Sequence, residues 1–194
     1  MCIRDRSFFY IIKLWINPRY LKKNYSLILG PEQLKKSKLI AEKETLLRGW
    51  KLSFTLNPFG TVKGWSNILH GTIGKDHGRN GDRTPGIWFR SQTTKLYICS
   101  SVNGDNNYCY NSAPIPLHEN TLIQIQQVQL ESNHQYHYQI FINKKRMLNT
   151  LNKVPMAFKN VKYYASDPWY NPAHATINNF NLTMMKHKGE IFDN

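Results

Sequence analysis

The sequence predicts an all-β protein folded as a two-sheet antiparallel jelly-roll sandwich, preceded by a basic N-terminal arm. Segments with apolar residues at every second position recur at intervals of roughly 8–15 residues, and no segment between them has convincing helical periodicity. The aromatic content is high at 13%, with 11 Tyr residues, which suits pleated surfaces. Gly and Pro occur singly, as turn punctuation. These features are typical of sandwiches and jelly rolls.

The alternation is clearest in residues 50–56. Trp50, Leu52, Phe54 and Leu56 alternate there with short polar or charged residues, which indicates a half-buried strand. The other predicted strands are residues 39–41 at an edge, 65–72, 87–90, both arms of a hairpin over 95–112, 121–128, 136–142, 159–166 and 175–184.

The ends of the chain are expected to lie outside this sandwich, which is assigned to residues 38–186. Residues 1–6, MCIRDR, are interpreted as the translated end of a sequencing adapter. Residues 7–37 are predicted to be a basic arm or linker, with a short helix near residues 31–36 that would begin at Pro31. Residues 187–194 are predicted to be a tail. No segment is long and apolar enough to suggest a membrane span.

The formal charge is +14, and its distribution argues against a nucleic-acid module. Residues 1–50 hold eleven Lys and Arg against four Asp and Glu, so half of the excess lies in the first quarter of the chain. Neither an RNP-like aromatic box nor zinc-finger spacing occurs. A solvated basic surface is the simpler interpretation.

The hairpin predicts a disulfide between Cys99 and Cys109. Asn103-Gly104 is a strong turn signal between two β-rich runs. If the strands fold back about Gly104, Cys99 falls opposite Cys109, and directly opposed residues of a non-hydrogen-bonded pair have Cα atoms about 4.5 Å apart. That separation is close to what a disulfide requires. Two unpaired buried thiols are the alternative.

Several motifs resemble the laminin-G-like, concanavalin A-like sandwich domains over roughly residues 38–186. The motifs are, in order, WKLSF (50–54), GWSNILH (64–70), GDRTPGIWF (81–89), ICS with NYC (98–100 and 107–109) and VKYYASDPWY (161–170). The resemblance implies two curved antiparallel sheets, a glycan or protein ligand and, in many such domains, one Ca²⁺.

If a calcium ion binds, we expect Asp82 and Asp167 to be ligands, because they lie in the two most distinctive loops. Calcium takes about six to eight oxygen ligands, commonly with several carboxylates. The alternative is structural: Asp82 would pair with Arg79 or Arg83, and Asp167 would cap the Ser-Asp-Pro turn. The sequence favours this structural alternative, and the cofactor prediction is none or a single Ca²⁺.

Eight residues are candidates for ligand binding. Aromatic faces suit the apolar face of a pyranose ring, and neutral polar side chains suit its hydroxyls. The candidates are Trp88, Tyr97, Trp169 and Tyr170 as aromatic groups, and Gln124, Gln126, His137 and Gln139 as polar groups. Alternatively, the aromatic residues fill the core and its rim.

An enzyme is not expected, because the predicted strands do not carry the paired acids of concanavalin-like glucanases and no GxSxG motif occurs. The sequons Asn24-Tyr-Ser and Asn181-Leu-Thr, with the disulfide, favour an extracellular or cell-surface location. The sequence thus predicts an extracellular module of a larger protein that binds carbohydrate or protein. The alternatives are a structural adhesion scaffold without a sugar site and a glycoside-active enzyme; the oligomeric state is left open.

Overall fold

The structure, a computed structural model, describes residues 21–27 and 30–186, with side chains from residue 30 to residue 185. Within these ranges the chain forms β-strands and no helix. The strands are β1 (Leu21–Leu27), β2 (Glu32–Gln33), β3 (Leu39–Leu46), β4 (Gly49–Pro58), β5 (Ser66–Thr72), β6 (Gly86–Phe89), β7 (Lys95–Val102), β8 (Asp105–Pro114), β9 (Thr121–Gln129), β10 (Tyr136–Ile142), β11 (Lys145–Asn152), β12 (Phe158–Tyr164), β13 (Asn171–Pro172) and β14 (Ala175–Lys186).

These strands form two sheets. Sheet A has the order β1-β14-β4-β9-β10-β11, with β2 also paired to β14. Sheet B has the order β3-β12-β5-β6-β7-β8, with β13 paired to β5. All pairs are antiparallel except the two-residue contact between β13 and β5. The protein is therefore the all-β, two-sheet antiparallel jelly-roll sandwich that the sequence predicts.

Alternation along the strands builds the core between the sheets. Trp50, Leu52, Phe54 and Leu56 are 0–3% exposed, whereas the residues between them are exposed or half-buried. Sheet B contributes inward side chains such as Ile87 from β6. Burying a side chain of this size contributes about 1.5–3 kcal/mol, so the pattern that predicts the strands also provides the main stabilisation.

Part of the stretch predicted as an arm joins sheet A. Residues 21–27 and 32–33 both pair with β14. The short helix expected near residues 31–36 is wrong. Leu34 is 4% exposed and its amide donates to the Ala175 carbonyl at 3.1 Å, so burial against the core holds this segment extended. Residues 1–6 and 187–194 lie outside the described residues.

The hairpin of β7 and β8 confirms the Cys99–Cys109 disulfide, with a Cα–Cα distance of 4.1 Å. Asn103 and Gly104 form the turn with φ values of 55° and 79°, the conformation a two-residue type I′ turn needs. Such a turn alone would set Cys99 opposite Tyr108. A bulge between residues 100 and 102 shifts the register by one residue and aligns the two cysteines.

Candidate functional site

An aromatic groove of about 220 Å³ lies on the outer face of sheet B; its lining residues are Trp65, Arg83, Trp88, Tyr97 and Tyr170. Trp88 on β6 is paired directly with Tyr97 on β7. Trp65 immediately precedes β5, and Tyr170 follows β12 in the chain. Arg83 lies between β5 and β6. Two adjacent strands thus form the floor, and three connecting segments form its rim.

The rings of the groove contact one another edge to face. The ring centroids of Trp65 and Tyr97 are 4.9 Å apart, and those of Trp88 and Tyr170 are 5.7 Å apart. Trp88 is only 2% exposed, whereas Trp65 is 39% exposed. Trp88 therefore supports the groove from below, and Trp65, Tyr97 and Tyr170 present the surface that a ligand would contact.

Gly86 makes room for the Trp88 ring. The two residues are on the same face of β6, and a Cβ atom at residue 86 would lie 2.1 Å from Cη2 of Trp88. Gly86 is also paired with His70 on one side and with Cys99 on the other. The indole can therefore lie close to the sheet only because this position has no side chain.

A buried carboxylate, Asp76, organises the cationic side of the groove. Nε of Arg83 donates to Oδ1 of Asp76 at 2.8 Å, and the Asp76 side chain is 3% exposed. The Arg83 guanidinium lies 4.8 Å from the Trp88 ring centroid. Burial raises the pKa of the Tyr170 hydroxyl, and the charge of Asp76 and a hydrogen bond to it raise that pKa further. Tyr170 therefore remains protonated near neutral pH, and Asp76 holds both Arg83 and Tyr170.

A buried imidazole–carboxylate pair holds the loop that carries Tyr170. Nδ1 of His70 lies 2.7 Å from Oδ2 of Asp167, and its Nε2 lies 2.7 Å from the carbonyl oxygen of Asp82. Both ring nitrogens face oxygen acceptors, so both can donate only when the ring is doubly protonated. Oδ1 of Asp167 accepts from the backbone amides of Trp169 at 3.0 Å and Tyr170 at 2.8 Å.

Asp82 and Asp167 do not present a donor set that fits calcium. Both oxygens of Asp167 face N–H groups, and Oδ2 of Asp82 accepts from the amides of His77 and Arg79, both at 3.0 Å. Among the described residues, no group of three or more His, Cys, Asp or Glu side chains could hold a metal. Asp167 caps its turn, as the structural alternative predicted. Asp82 pairs with backbone amides rather than with an arginine side chain.

The polar candidates lie on the opposite side of the molecule, on the outer face of sheet A. Nε2 of Gln126 donates to Oε1 of Gln139 at 2.5 Å, and Nε2 of Gln139 donates to Oδ1 of Asn149 at 2.9 Å. Nδ1 of His137 lies 3.1 Å from the same Asn149 oxygen. Gln124 is two residues before Gln126 on β9, and its side chain is therefore on the same face. Gln126, Gln139 and His137 are thus linked directly or through Asn149, and the structure does not bring the polar candidates together with the aromatic candidates.

Of the aromatic candidates, Trp88, Tyr97 and Tyr170 meet in the groove. Trp169 is 42% exposed and its ring lies 5.4 Å from that of His70, but it is not among the described residues that line the groove. Sequence reasoning missed Trp65, which it treated as the first residue of a strand. The signal available in the sequence was the glycine at position 64, directly before the tryptophan. In the structure Gly64 has a φ of 86°, which is a turn conformation.

Sequence reasoning also missed the roles of Arg83 and Asp76. A further correction concerns acids on strands: β3 extends to residue 46, and Glu42 and Glu44 are both on it and exposed. The expectation that strands lack paired acids is therefore wrong for β3. Glu42 lies 3.5 Å from Nζ of Lys162 on the neighbouring strand. β3 is an edge strand of sheet B, and β12 and β5 separate it from β6, so these acids lie away from the aromatic groove.

Comparisons with known proteins give similarities of fold. No protein-family model and no curated protein sequence matches the chain. Among solved structures it is similar to a sialidase from Trypanosoma rangeli, with a TM-score of 0.49, 12% identity, and coverage of 69% of this chain and 20% of the sialidase. It is also similar to sheep galectin-11, with a TM-score of 0.44, 13% identity, and coverage of 78% and 100%. A third is alginate lyase from Alteromonas sp. 272, with a TM-score of 0.43, 7% identity, and coverage of 84% and 86%.

The chain matches about one fifth of the length of the sialidase structures. At these TM-scores and identities the similarities identify no family, and the laminin-G-like resemblance stays a prediction. A search of the described residues for a helix long and apolar enough to cross a membrane found none.

Proposed function

We propose that this protein binds carbohydrate through the aromatic groove on the outer face of sheet B, without catalysing a reaction on it. The observation that carries the proposal is the group of three accessible rings, Trp65, Tyr97 and Tyr170, that line one groove together with the buried Trp88. Aromatic rings offer an apolar surface to the C–H face of a sugar, and polar groups at the rim can bond its hydroxyls.

The groove is held in place before any ligand arrives. Trp88 fixes the floor, Asp76 fixes Arg83 and Tyr170, and Asp167 fixes the loop that carries Tyr170. Side chains that are already ordered lose little conformational entropy on binding, and this preserves affinity in a small site.

Binding without catalysis is supported by the character of the groove, whose lining residues are aromatic and cationic. Its nearest carboxylate, Asp76, is buried and bonded to Arg83. Retaining glycoside hydrolysis uses two carboxyl groups about 5–5.5 Å apart. The disulfide and the two sequons support an extracellular or cell-surface module of a longer protein. Calcium is not needed for the proposed contacts.

A glycan-array screen of the folded, oxidised chain, with calcium and with chelator, tests this function. We expect saturable binding in both conditions. Trp65→Ala should lower the affinity about tenfold, as truncation of an aromatic hot spot does. Phe59→Ala is the matched control, because Phe59 is also 39% exposed but stacks on His174 outside the groove.

Equal losses in the Trp65 and Phe59 variants would contradict the assigned groove. Binding that disappears on chelation would show that a calcium site is required after all. No binding by folded protein in either condition would overturn the proposal and favour the structural adhesion scaffold, which contacts only proteins.

A further inference from the structure

A second groove adjoins the first and shares Trp65 with it. Its other lining residues are Arg90, Ser91, Thr93 and Lys95, and it encloses about 310 Å³. Arg90 follows β6 and Lys95 begins β7, and the Arg90 amide donates to the Lys95 carbonyl at 3.1 Å. The two grooves form one strip along the β6–β7 hairpin, with aromatic residues in the middle and basic residues toward both ends.

The cations of this strip are placed beside the rings. The Arg83 guanidinium lies 4.8 Å from the Trp88 ring centroid, and that of Arg90 lies 5.5 Å from the Trp65 ring centroid. The described residues that line the two grooves include no Asp or Glu. A ligand in the strip would therefore meet positive charge without a directly lining carboxylate.

Hydrogen-bond donors are in surplus along the strip. Arg83 uses Nε for Asp76 and Nη1 for Asn107, and Arg90 uses Nη1 for Asn111 at 3.2 Å. Their other guanidinium N–H groups have no acceptor among the hydrogen bonds of the described residues. Carboxylates and sulfates accept hydrogen bonds without donating any, so they complement such a surface.

We infer that the ligand of this groove is an acidic saccharide, whose sugar ring rests against Trp65 and Tyr97 and whose carboxylate or sulfate group lies beside Arg90 and Lys95. The inference rests on the proposed carbohydrate-binding function and narrows its ligand class. Nucleic acid fits less well. The Trp65 and Tyr97 rings are inclined at 66° to each other, so they do not provide the parallel platforms on which successive bases stack.

Calorimetric titration of the whole chain with three hexasaccharides of matched length tests the inference: a polyuronate, its carboxyl-reduced neutral form and a sulfated analogue. At least one acidic probe should bind about tenfold more tightly than the neutral one. Raising the salt from about 50 to about 200 mM should weaken only the acidic probes, because screening shortens the range of charge attraction. The favoured probe distinguishes a carboxylate from a sulfate ligand.

Arg90→Gln should weaken the acidic probe about three- to tenfold and leave the neutral probe within about twofold, which corresponds to one charge-assisted contact. Arg146→Gln is the matched control, since Arg146 is an exposed arginine on β11 of the other sheet. Both positions are exposed, so both variants should keep the melting temperature of the parent chain.

Three results would overturn the inference while leaving carbohydrate binding intact. They are a neutral probe that binds as tightly as the acidic ones, an Arg90→Gln variant with unchanged affinity, and a neutral probe as sensitive to salt as the acidic probes. Tighter binding of a single-stranded oligonucleotide of equal charge would also overturn it. If no saccharide binds, the proposed carbohydrate-binding function itself is contradicted.

Discussion

The Asp167 carboxylate is expected to stabilise the fold more than any other acidic side chain near the groove. Asp167 is fully buried and accepts three hydrogen bonds, from the His70 ring at 2.7 Å and from the amides of Trp169 and Tyr170 at 3.0 and 2.8 Å. Asp167→Ala leaves a buried imidazole nitrogen without its hydrogen-bond partner and two backbone amides without an acceptor.

Leaving a buried hydrogen-bonding group unsatisfied costs about 1–3 kcal/mol, and Asp167→Ala leaves three such groups, the His70 ring nitrogen and the two amides. These costs overlap, so we expect Asp167→Ala to lower the free energy of unfolding by about 3–5 kcal/mol. A typical domain has about 5–15 kcal/mol in total. Asp167→Asn keeps an oxygen acceptor for the two amides and should cost less, about 1–3 kcal/mol.

Urea unfolding of the oxidised protein at neutral pH measures this loss as a lower midpoint with an unchanged slope. Asp105→Ala is the matched control. Oδ1 of Asp105 also caps a turn, accepting from the Asn107 amide at 2.8 Å, but it does so at an exposed site. Its removal should cost under about 1 kcal/mol. Equal losses in the two alanine variants, or a loss below about 1 kcal/mol for Asp167→Ala, would refute the reasoning.

Three further variants test other parts of the site. Replacing both Cys99 and Cys109 by serine, or reducing their disulfide, removes a cross-link between residues 10 apart in the sequence. The free energy of unfolding should fall by about 2.7 kcal/mol, because the unfolded chain regains conformational entropy. An unchanged thermal midpoint under reductant would contradict this. Gly86→Ala brings a Cβ to 2.1 Å from the Trp88 ring. We expect the free energy of unfolding to fall by about 1–3 kcal/mol and the tryptophan fluorescence to shift. An unshifted spectrum would show that the Trp88 ring does not lie against residue 86. Gly71→Ala brings a Cβ to 2.8 Å from a backbone carbonyl oxygen, which cannot rotate away, and should cost at least as much in a urea titration.

The strands and the hairpin could be predicted because their signals are local. Alternation shows which residues of β4 face inward, and Asn103-Gly104 locates the turn. Period-2 alternation says which face of a strand a residue occupies, but not which sheet the strand joins. Gln126 and Trp88 are both on outward faces, yet β9 belongs to sheet A and β6 to sheet B. For this reason the eight candidates separated into two groups.

The missed groups depend on contacts between segments far apart in the sequence. Asp76 sits in a loop without a ligand motif, and it acquires its role only where Arg83 and Tyr170 converge on it. The segment around Leu34 carries a plausible helix start, yet burial of Leu34 against β14 decides its conformation. Local propensity is a weak guide where tertiary contacts of this size compete with it.

The bulge in the β7–β8 hairpin fixes the permitted length of that turn. The pairing of Cys99 with Cys109 depends on a two-residue turn and one extra residue in the bulge, so an insertion or deletion of one residue would separate the cysteines and move every following side chain of β8 to the opposite face. Surface turns usually tolerate changes in length. The Asn103-Gly104 turn should therefore be left unchanged when a loop is grafted or a tag is inserted in this domain. This holds although the turn is exposed and lies several residues along β7 from Tyr97 of the groove.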